Sequence, residues 1–403
     1  MRILILHPNF PAQFQAPCLD LVQENHDIKF ICQTHYGRSI DGVEKLVLKG
    51  DFARQAIEGN LTELKKMFVR ADSYKFAMHE LSNKNWNPDV ILSHSGWGCG
   101  FYAKHIWPQI PLISYVEWWF SGNSDLVKSI DKNPFFKFNI KGIESLLKRN
   151  ALMAMELASA DIMVAPTKWQ KNQLPIQLRK HCDVIYDKLN EKIFYQDKSR
   201  LSPTPKVTYG TRGMEPMRGF PEFINSVEKL LHKWPSLTIE IAGKDENNYG
   251  GGMPKQGSWK KWAIEQIPPN LLPRIIWLDR MPIDKYANWL RSSWCHVYLT
   301  EPYVTSWSLL EAIQCGAPLI ASDHISVQEF TRFHQCCILV DHKKQENLVN
   351  SINSMLRITA DRWSSGDHFD APNLNEVQHG STKSQTLADL VKQVAGAEAT
   401  TMH

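Results

Sequence analysis

The chain has 403 residues, 43% of them hydrophobic and 22% charged. That is the make-up of an ordinary globular protein with enough length for two or three domains, and it excludes a mainly disordered, collagen-like or coiled-coil chain. Its 46 basic and 42 acidic side chains leave a formal charge of +4, too small a surplus to argue for nucleic acid as a partner.

The apolar runs, such as Val90-Ile91-Leu92 and Ala317-Pro318-Leu319-Ile320-Ala321, fall far short of the ~18–20 residues of a membrane span. The run Arg2-Ile3-Leu4-Ile5-Leu6-His7 is too short for the apolar core of a secretory signal. The 8 cysteines are scattered and form no Cys-x-x-Cys pair. Free thiols, a cytoplasmic setting and no zinc site are therefore expected.

Strands and helices alternate along the chain. In the first half, strands are expected at 2–7, 27–33, 89–92, 111–116 and 161–166. Helices are expected at 13–24, 61–81 and 142–160, the last from apolar residues at helical spacing (Ile143, Leu146, Leu147, Leu152, Met155, Leu157). In the second half, strands are expected at 207–209, 237–242, 275–278, 296–299, 318–321 and 338–340. Helices lie between them at 220–231, 283–291, 307–313, 327–333 and 345–355. Strands separated by helices of this length mean right-handed crossover units and parallel sheets.

A polar, proline-bearing stretch marks the boundary. The reading is a Rossmann-like domain over 1–190, a linker over 191–205, a second Rossmann-like domain over 206–363, and a tail over 364–403 that is partly helical or mobile. The fold class is α/β, with two parallel-sheet domains facing each other across a cleft. Ligands of such sheets bind outside the carboxyl ends of the strands.

Two stretches carry chemistry. In Thr300-Glu301-Pro302-Tyr303-Val304-Thr305-Ser306-Trp307-Ser308-Leu309-Leu310-Glu311 a strand ends, a loop turns, and a helix starts near Ser306. Free amides at that start suit an anion, and Glu311, one and a half turns in, suits a pair of hydroxyls such as those of a ribose. In Gly210-Thr211-Arg212-Gly213-Met214-Glu215-Pro216-Met217-Arg218-Gly219 two arginines stand six apart in a glycine-flanked loop, and their planar forks suit a phosphate group. Gly243-Lys244-Asp245 and Leu278-Asp279-Arg280-Met281 end neighbouring strands, so Gly243, Arg280 and Met281 are expected to line the same nucleotide. In the first half, His94 and Glu117 each follow a strand. The triplet Gly250-Gly251-Gly252 lacks the Lys-Ser/Thr of a nucleotide P-loop, and no His or Asp pair has metal-ligand spacing. The segment Lys132-Asn133-Pro134-Phe135-Phe136-Lys137-Phe138 mixes cations with aromatics, a composition that allows weak peripheral contact with an anionic membrane.

With these motifs in view, the chain resembles the family 4 retaining glycosyltransferases of the GT-B architecture over about residues 1–357. The family's donor loop is matched by Gly210-Thr211-Arg212 and Arg218-Gly219. Its two-glutamate signature is matched at the second glutamate, Glu311, and by the trailing Cys315-Gly316-Ala317-Pro318-Leu319-Ile320-Ala321-Ser322-Asp323. The first glutamate, which contacts the transferred sugar in the family, would fall at Tyr303 and is missing; Glu301, two residues earlier at a different spacing, and Tyr303 stand as its alternatives. Ser306, beside Trp307 and Ser308, stands where the family usually has glycine. A subgroup shares Ser-Trp-Ser here and His94-Ser95-Gly96-Trp97-Gly98 in the first domain. Glu117 falls where many members carry a catalytic-site histidine, and the loop 8–14 replaces a glycine-rich one.

The resemblance implies sugar transfer, with retention, from a nucleotide diphosphate sugar to a hydroxyl on a glycan, a lipid-linked or a small-molecule acceptor. It implies no cofactor and no metal, and bacterial surface polysaccharide assembly as the setting. Arg212, Arg218, Glu117 and His94 would serve the reaction. Gly210, Gly243, Arg280, Met281, Tyr303, Ser306, Trp307, Ser308 and Glu311 would hold the donor. A non-catalytic nucleotide-sugar-binding protein and a sugar-nucleotide epimerase on the same fold stand as alternatives.

Overall fold

A computed structural model describes residues 1–48, 63–136, 140–332, 334–366 and 385–401. The strands are β1 (Arg2–Leu6), β2 (Asp27–Cys32), β3 (Val43–Val47), β4 (Val90–His94), β5 (Leu112–Tyr115), β6 (Ile162–Ala165), β7 (Cys182–Val184), β8 (Lys206–Gly213), β9 (Thr238–Lys244), β10 (Ile275–Leu278), β11 (Cys295–Tyr298), β12 (Leu319–Ser322) and β13 (Cys337–Val340). They form a seven-stranded sheet, β3-β2-β1-β4-β5-β6-β7, and a six-stranded sheet, β10-β9-β8-β11-β12-β13. Every pairing between these strands is parallel.

A parallel sheet is covered on both faces, so its central strands read as unbroken apolar runs. β1 shows how. Ile3 and Ile5 enter one core with Phe14, Cys18 and Leu21 of the helix side following β1, while Leu4 and Leu6 enter another with Tyr74 and Met78 of the helix Glu63–Asn83. In the second sheet Val207, Ile239, Ile241 and Val297 pack with the helices Phe220–Lys233 and Gln345–Ser365.

Strand order reverses next to the first strand of each sheet: β1 lies between β2 and β4, and β8 between β9 and β11. These reversals open a crevice at the carboxyl ends, where ligands of open α/β sheets bind. His7 follows β1 and His94 ends β4; the arginine loop follows β8 and the Ser306 loop follows β11.

The strands expected from apolar runs are present within one or two residues, except that β8 runs on to Gly213. β3 and β7 were not anticipated. They are edge strands, and Val43-Glu44-Lys45-Leu46-Val47 mixes charge into its apolar run because an edge is half exposed. The helix expected over 142–160 is two, Ile140–Lys148 and Asn150–Ser159, and a further helix spans Trp259–Gln266.

The compact units are not continuous halves. One comprises Met1–Ser124, Asn139–Lys188 and Lys383–His403; the other Asp125–Phe138 and Leu189–Thr382. The tail expected over 364–403 supplies the helix Leu387–Thr401, whose Leu387, Ala388, Leu390 and Val391 are buried in the first unit's core. Apolar residues at helical spacing give it a face to bury. Residues 367–384 lie outside the described residues.

The aromatic segment at 132–138 also differs from expectation. Phe135 packs edge-on against Trp259 and Trp262 at ring separations of 6.2 and 5.8 Å, and Phe136 is buried. These rings are turned into their own unit; Lys137 and Phe138 lie outside the described residues. No described helix is long and apolar enough to cross a membrane.

Buried Glu156, from the helix Asn150–Ser159, accepts hydrogen bonds from the Ser114 hydroxyl and the Gly100 amide, each at 3.1 Å. A Cβ at Gly100 would lie 2.4 Å from Ser93 Oγ and 2.8 Å from the Glu156 carboxylate. Gly100→Ala is expected to lower the unfolding free energy by about 1–3 kcal/mol, the usual cost of overpacking, as measured by urea denaturation.

Candidate active site

In the second unit, β8 ends in a bulge: its register against β9 shifts between Gly210 and Gly213. A bulge re-aims the side chains it carries, here Thr211 and Arg212. Gly243 on the facing strand has φ 137, and a Cβ there would lie 2.1 Å from the Thr211 carbonyl oxygen. Only glycine lets the two backbones approach so closely. Arg212 is exposed, and its charge reaches Glu215.

Arg218 closes the short turn Pro216–Arg218 and is 7% exposed. Its Nη1 donates to Thr300 Oγ1 at 2.8 Å and to the Val304 carbonyl at 3.5 Å. The guanidinium also lies 5.1 Å from the centre of the Tyr249 ring. Burial opposes its charge, while the neighbouring Tyr298 and Tyr249 phenols favour it. A guanidinium keeps its charge even when buried. Among the described residues it makes no ion pair with a carboxylate.

The acid nearest this loop is Glu215, which motif reading passed over. It is fully buried. One oxygen accepts from the Asn248 and Tyr249 amides at 3.0 and 2.8 Å, and the other has no hydrogen-bond partner. Burial pushes its carboxyl up to about 7, against the pull of those amides and of both arginines.

The helix Trp307–Gln314 starts beside Arg218. Its N-cap is Ser306, whose hydroxyl accepts from the Ser308 amide at 3.3 Å, while the Ser306 amide donates to the Tyr298 hydroxyl at 3.1 Å. Of the amides expected to be free, that of Ser308 is therefore already taken, because the serine at the cap position accepts from it. Glu311 is half-buried and pushed up to about 7 by burial, with the Tyr286 hydroxyl opposing. Tyr303 is half-buried, its ring 5.7 Å from that of Tyr249.

The sheet thus brings Gly210, Arg212, Gly243, Arg218, Ser306, Trp307, Ser308 and Glu311 to the neighbouring ends of β9, β8 and β11. Arg280, exposed, and Met281, half-buried, follow the edge strand β10, two places from β8. Glu301 is fully buried, and its carboxylate is engaged by the chain itself: it accepts from Asn133 at 2.7 Å, from Lys343 at 3.0 Å and from the Ser129 hydroxyl.

In the first unit, His94 is buried at the end of β4, and its Nε2 lies 3.4 Å from Glu117 Oε2. Glu117 Oε1 accepts from the Gln13 amide at 2.8 Å, and its backbone carbonyl accepts from Gln170 at 2.7 Å. The carboxylate is held yet remains about one-third exposed.

A family model described as "Glycosyl transferase family 4 group" matches residues 24–194, and one described as "Glycosyl transferases group 1" matches residues 191–365. The chain belongs to the group 1 and family 4 glycosyltransferases. Comparison with curated protein sequences finds no match. Among solved structures this glycosyltransferase is similar to the sucrose-phosphate synthase of Thermosynechococcus elongatus, at 14% identity and a TM-score of 0.65, with 100% of this chain and 98% of the other covered. It is also similar to Anabaena Alr3699/HepE in complex with UDP and glucose, at 14% identity and a TM-score of 0.59, with 100% and 98% covered. WaaG, a glycosyltransferase involved in lipopolysaccharide biosynthesis, matches at 13% identity and a TM-score of 0.60, with 98% and 99% covered. These likenesses establish the GT-B fold.

One trio among the described residues has metal-ligand proximity: Glu222, Glu301 and His342, all buried, with ligand atoms within 4.8 Å of one another. The Lys343 ammonium sits in this cluster on Glu301, and Asn133 bridges Glu301 and Glu222 at 2.7 and 3.1 Å. The positive charge there is a lysine's. Glu222 lacks an ion pair of its own, and burial pushes it up to about 7.

A carboxyl raised in the folded state stabilises the fold below its unfolded value and loses that contribution as pH rises through the folded value. Glu222→Gln imitates the protonated form. The variant is expected to match the parent's stability near pH 4 and to exceed it near pH 8, as read by urea denaturation at both values.

Proposed function

We propose that this glycosyltransferase moves a sugar from a nucleotide diphosphate sugar to a hydroxyl acceptor, with retention at the anomeric carbon. One observation carries the donor half of the reading: a buried guanidinium, Arg218, at the strand-order reversal of the second sheet, whose hydrogen-bond partners are neutral oxygens. A buried guanidinium that hydrogen-bonds to no carboxylate is costly, and a diphosphate would supply a directly bonded anion.

In the reaction the bond between the anomeric carbon and the diphosphate oxygen breaks, and its electrons stay with the diphosphate. The acceptor oxygen bonds to the same face of that carbon, and its proton passes to the departing diphosphate. Arg212 and Arg218 meet the charge developing on the leaving group, with side chains rather than a metal ion or cofactor supplying the neutralisation. Trp307 and Ser308 at the helix start add their amides when the diphosphate displaces the serine cap, and Glu311 accepts the ribose hydroxyls. Glu117, held by Gln13 and facing His94, supports positive charge on the sugar or orients the acceptor hydroxyl.

The HepE structures with UDP and with UDP-glucose make UDP-glucose the first donor to try. A glycan, lipid-linked or small-molecule acceptor in bacterial surface polysaccharide assembly is the setting we assign, in the cytoplasm, in keeping with 8 unbridged cysteines.

A thermal-shift screen of nucleotide diphosphate sugars, followed by mass spectrometry of candidate acceptors, tests the reading; no shift with any of them would sink it. Arg212→Ala is expected to reduce turnover at saturating donor by roughly 100- to 1,000-fold, the range for losing one donor to a developing charge, while the fold survives. Glu311→Ala should chiefly weaken nucleotide binding, and unchanged calorimetric affinity for UDP would contradict its role.

A further inference from the structure

The loop between β1 and the helix Gln15–Gln23 carries two residues that the motifs left unassigned, His7 and Gln13. His7 Nδ1 accepts a hydrogen bond from the Asn9 amide at 2.8 Å. Burial first, and then the neighbouring His94, hold this histidine well below its ordinary value. It is therefore neutral, and a neutral ring that accepts at Nδ1 carries its proton on Nε2. That Nε2–H is buried and makes no hydrogen bond, and the Gln13 side chain acts on the His7 ring.

An amide has one accepting and one donating end. With a donor on the His7 side, the Gln13 carbonyl belongs there and its NH2 belongs to Glu117 Oε1, the observed 2.8 Å bond. The other carboxylate oxygen then faces His94, whose ring stands edge-on to His7 at 4.8 Å.

The loop is built to hold this direction. Phe10 and Phe14 are buried on either side of it. Ala12, directly before Gln13, has φ 46. A non-glycine residue in the left-handed region costs on the order of 1–2 kcal/mol and persists where its surroundings enforce it, commonly at functional sites.

We infer that Gln13 is a positioning residue for the transfer reaction: it fixes the Glu117 carboxylate in its ionised form, and His7 fixes the sense of the Gln13 amide. The inference rests on the reading above that Glu117 acts on the sugar or acceptor. A neutral donor favours the ionised carboxylate without adding charge. Among the groups around Glu117 are His94 from β4, Tyr115 from β5, whose hydroxyl is given to Asp187, and Gln170 from the helix Lys168–Asn172. Arg70 of the helix Glu63–Asn83 acts on His7.

The test compares Gln13→Leu, Gln13→Asn and Gln13→Glu in the full chain. Sugar transfer is followed as UDP release from UDP-glucose, or from the donor the screen selects. Gln13→Leu and Gln13→Asn are expected to lower kcat about 10- to 100-fold with donor KM within about twofold, on the scale of losing a supporting partner. The acidic limb of the pH–rate profile should move to higher pH in Gln13→Leu. It should move by about one unit or more in Gln13→Glu, because two adjacent carboxyls share a proton. A fold defect alone would lower activity without moving that limb. An unchanged kcat and an unmoved limb overturn the inference, as does an Nδ1–H tautomer of His7 in 15N imidazole spectra of the ligand-free chain. Glu117→Gln separates the two layers. If it is fully active, the reading of Glu117 fails; if it is inactive while the Gln13 variants behave as the parent, only the Gln13 assignment fails.

Discussion

A guanidinium taken out of water with only neutral oxygens for partners governs the second unit. Arg218 cannot shed its proton, so the fold must surround it with dipoles. The Thr300 hydroxyl, the Val304 carbonyl and the Tyr249 ring do this. They come from two distant parts of the chain, so holding one charge fixes the arginine loop, the loop after β11 and the Asn248–Tyr249 turn against one another. Glu215 completes the arrangement by spending an oxygen on the amides of that turn. On the proposed function, a phosphate entering this setting would meet a charge that is already desolvated.

The first unit solves a different problem, holding a carboxylate in place while leaving it accessible. Glu117 is tied by its side chain to Gln13 and by its backbone to Gln170. Gln170 is itself oriented by Thr167 at 2.9 Å. Under the same loops, buried Glu156 holds the turn that follows β4. Both units place these groups where the strand order reverses, which is where an open parallel sheet leaves room for a ligand.

The second unit also shows how one residue type in a motif can be put to another use. Glu301 lies close in sequence to the position of the family's sugar-binding glutamate, but its carboxylate is consumed by Ser129, Asn133 and Lys343. The segment Asp125–Phe138 belongs to the second unit through these bonds and through Phe135 against Trp259 and Trp262. Tyr303, beside Tyr249, is left at the glutamate's place.

The apolar runs of the central strands and the 3.6-residue spacing of the helices between them were enough to read two parallel sheets, because a strand buried on both faces is mostly apolar. The arginine loop after β8 and the helix start at Ser306 after β11 were legible as positions, since a glycine-flanked loop and a capping serine each follow an apolar run. The edge strands β3 and β7 were not, because half-exposed strands mix charge with apolar residues. Nor was the docking of Leu387–Thr401, the inward turn of Phe135 and Phe136, or the inward turn of Glu301. Those depend on contacts between residues more than a hundred apart in the chain, and local composition carries no record of which distant partner a side chain meets. The pairing of Gln13 with Glu117, 104 positions away, is of the same kind: each residue is ordinary in its own segment, and only the folded sheet brings the amide to the carboxylate.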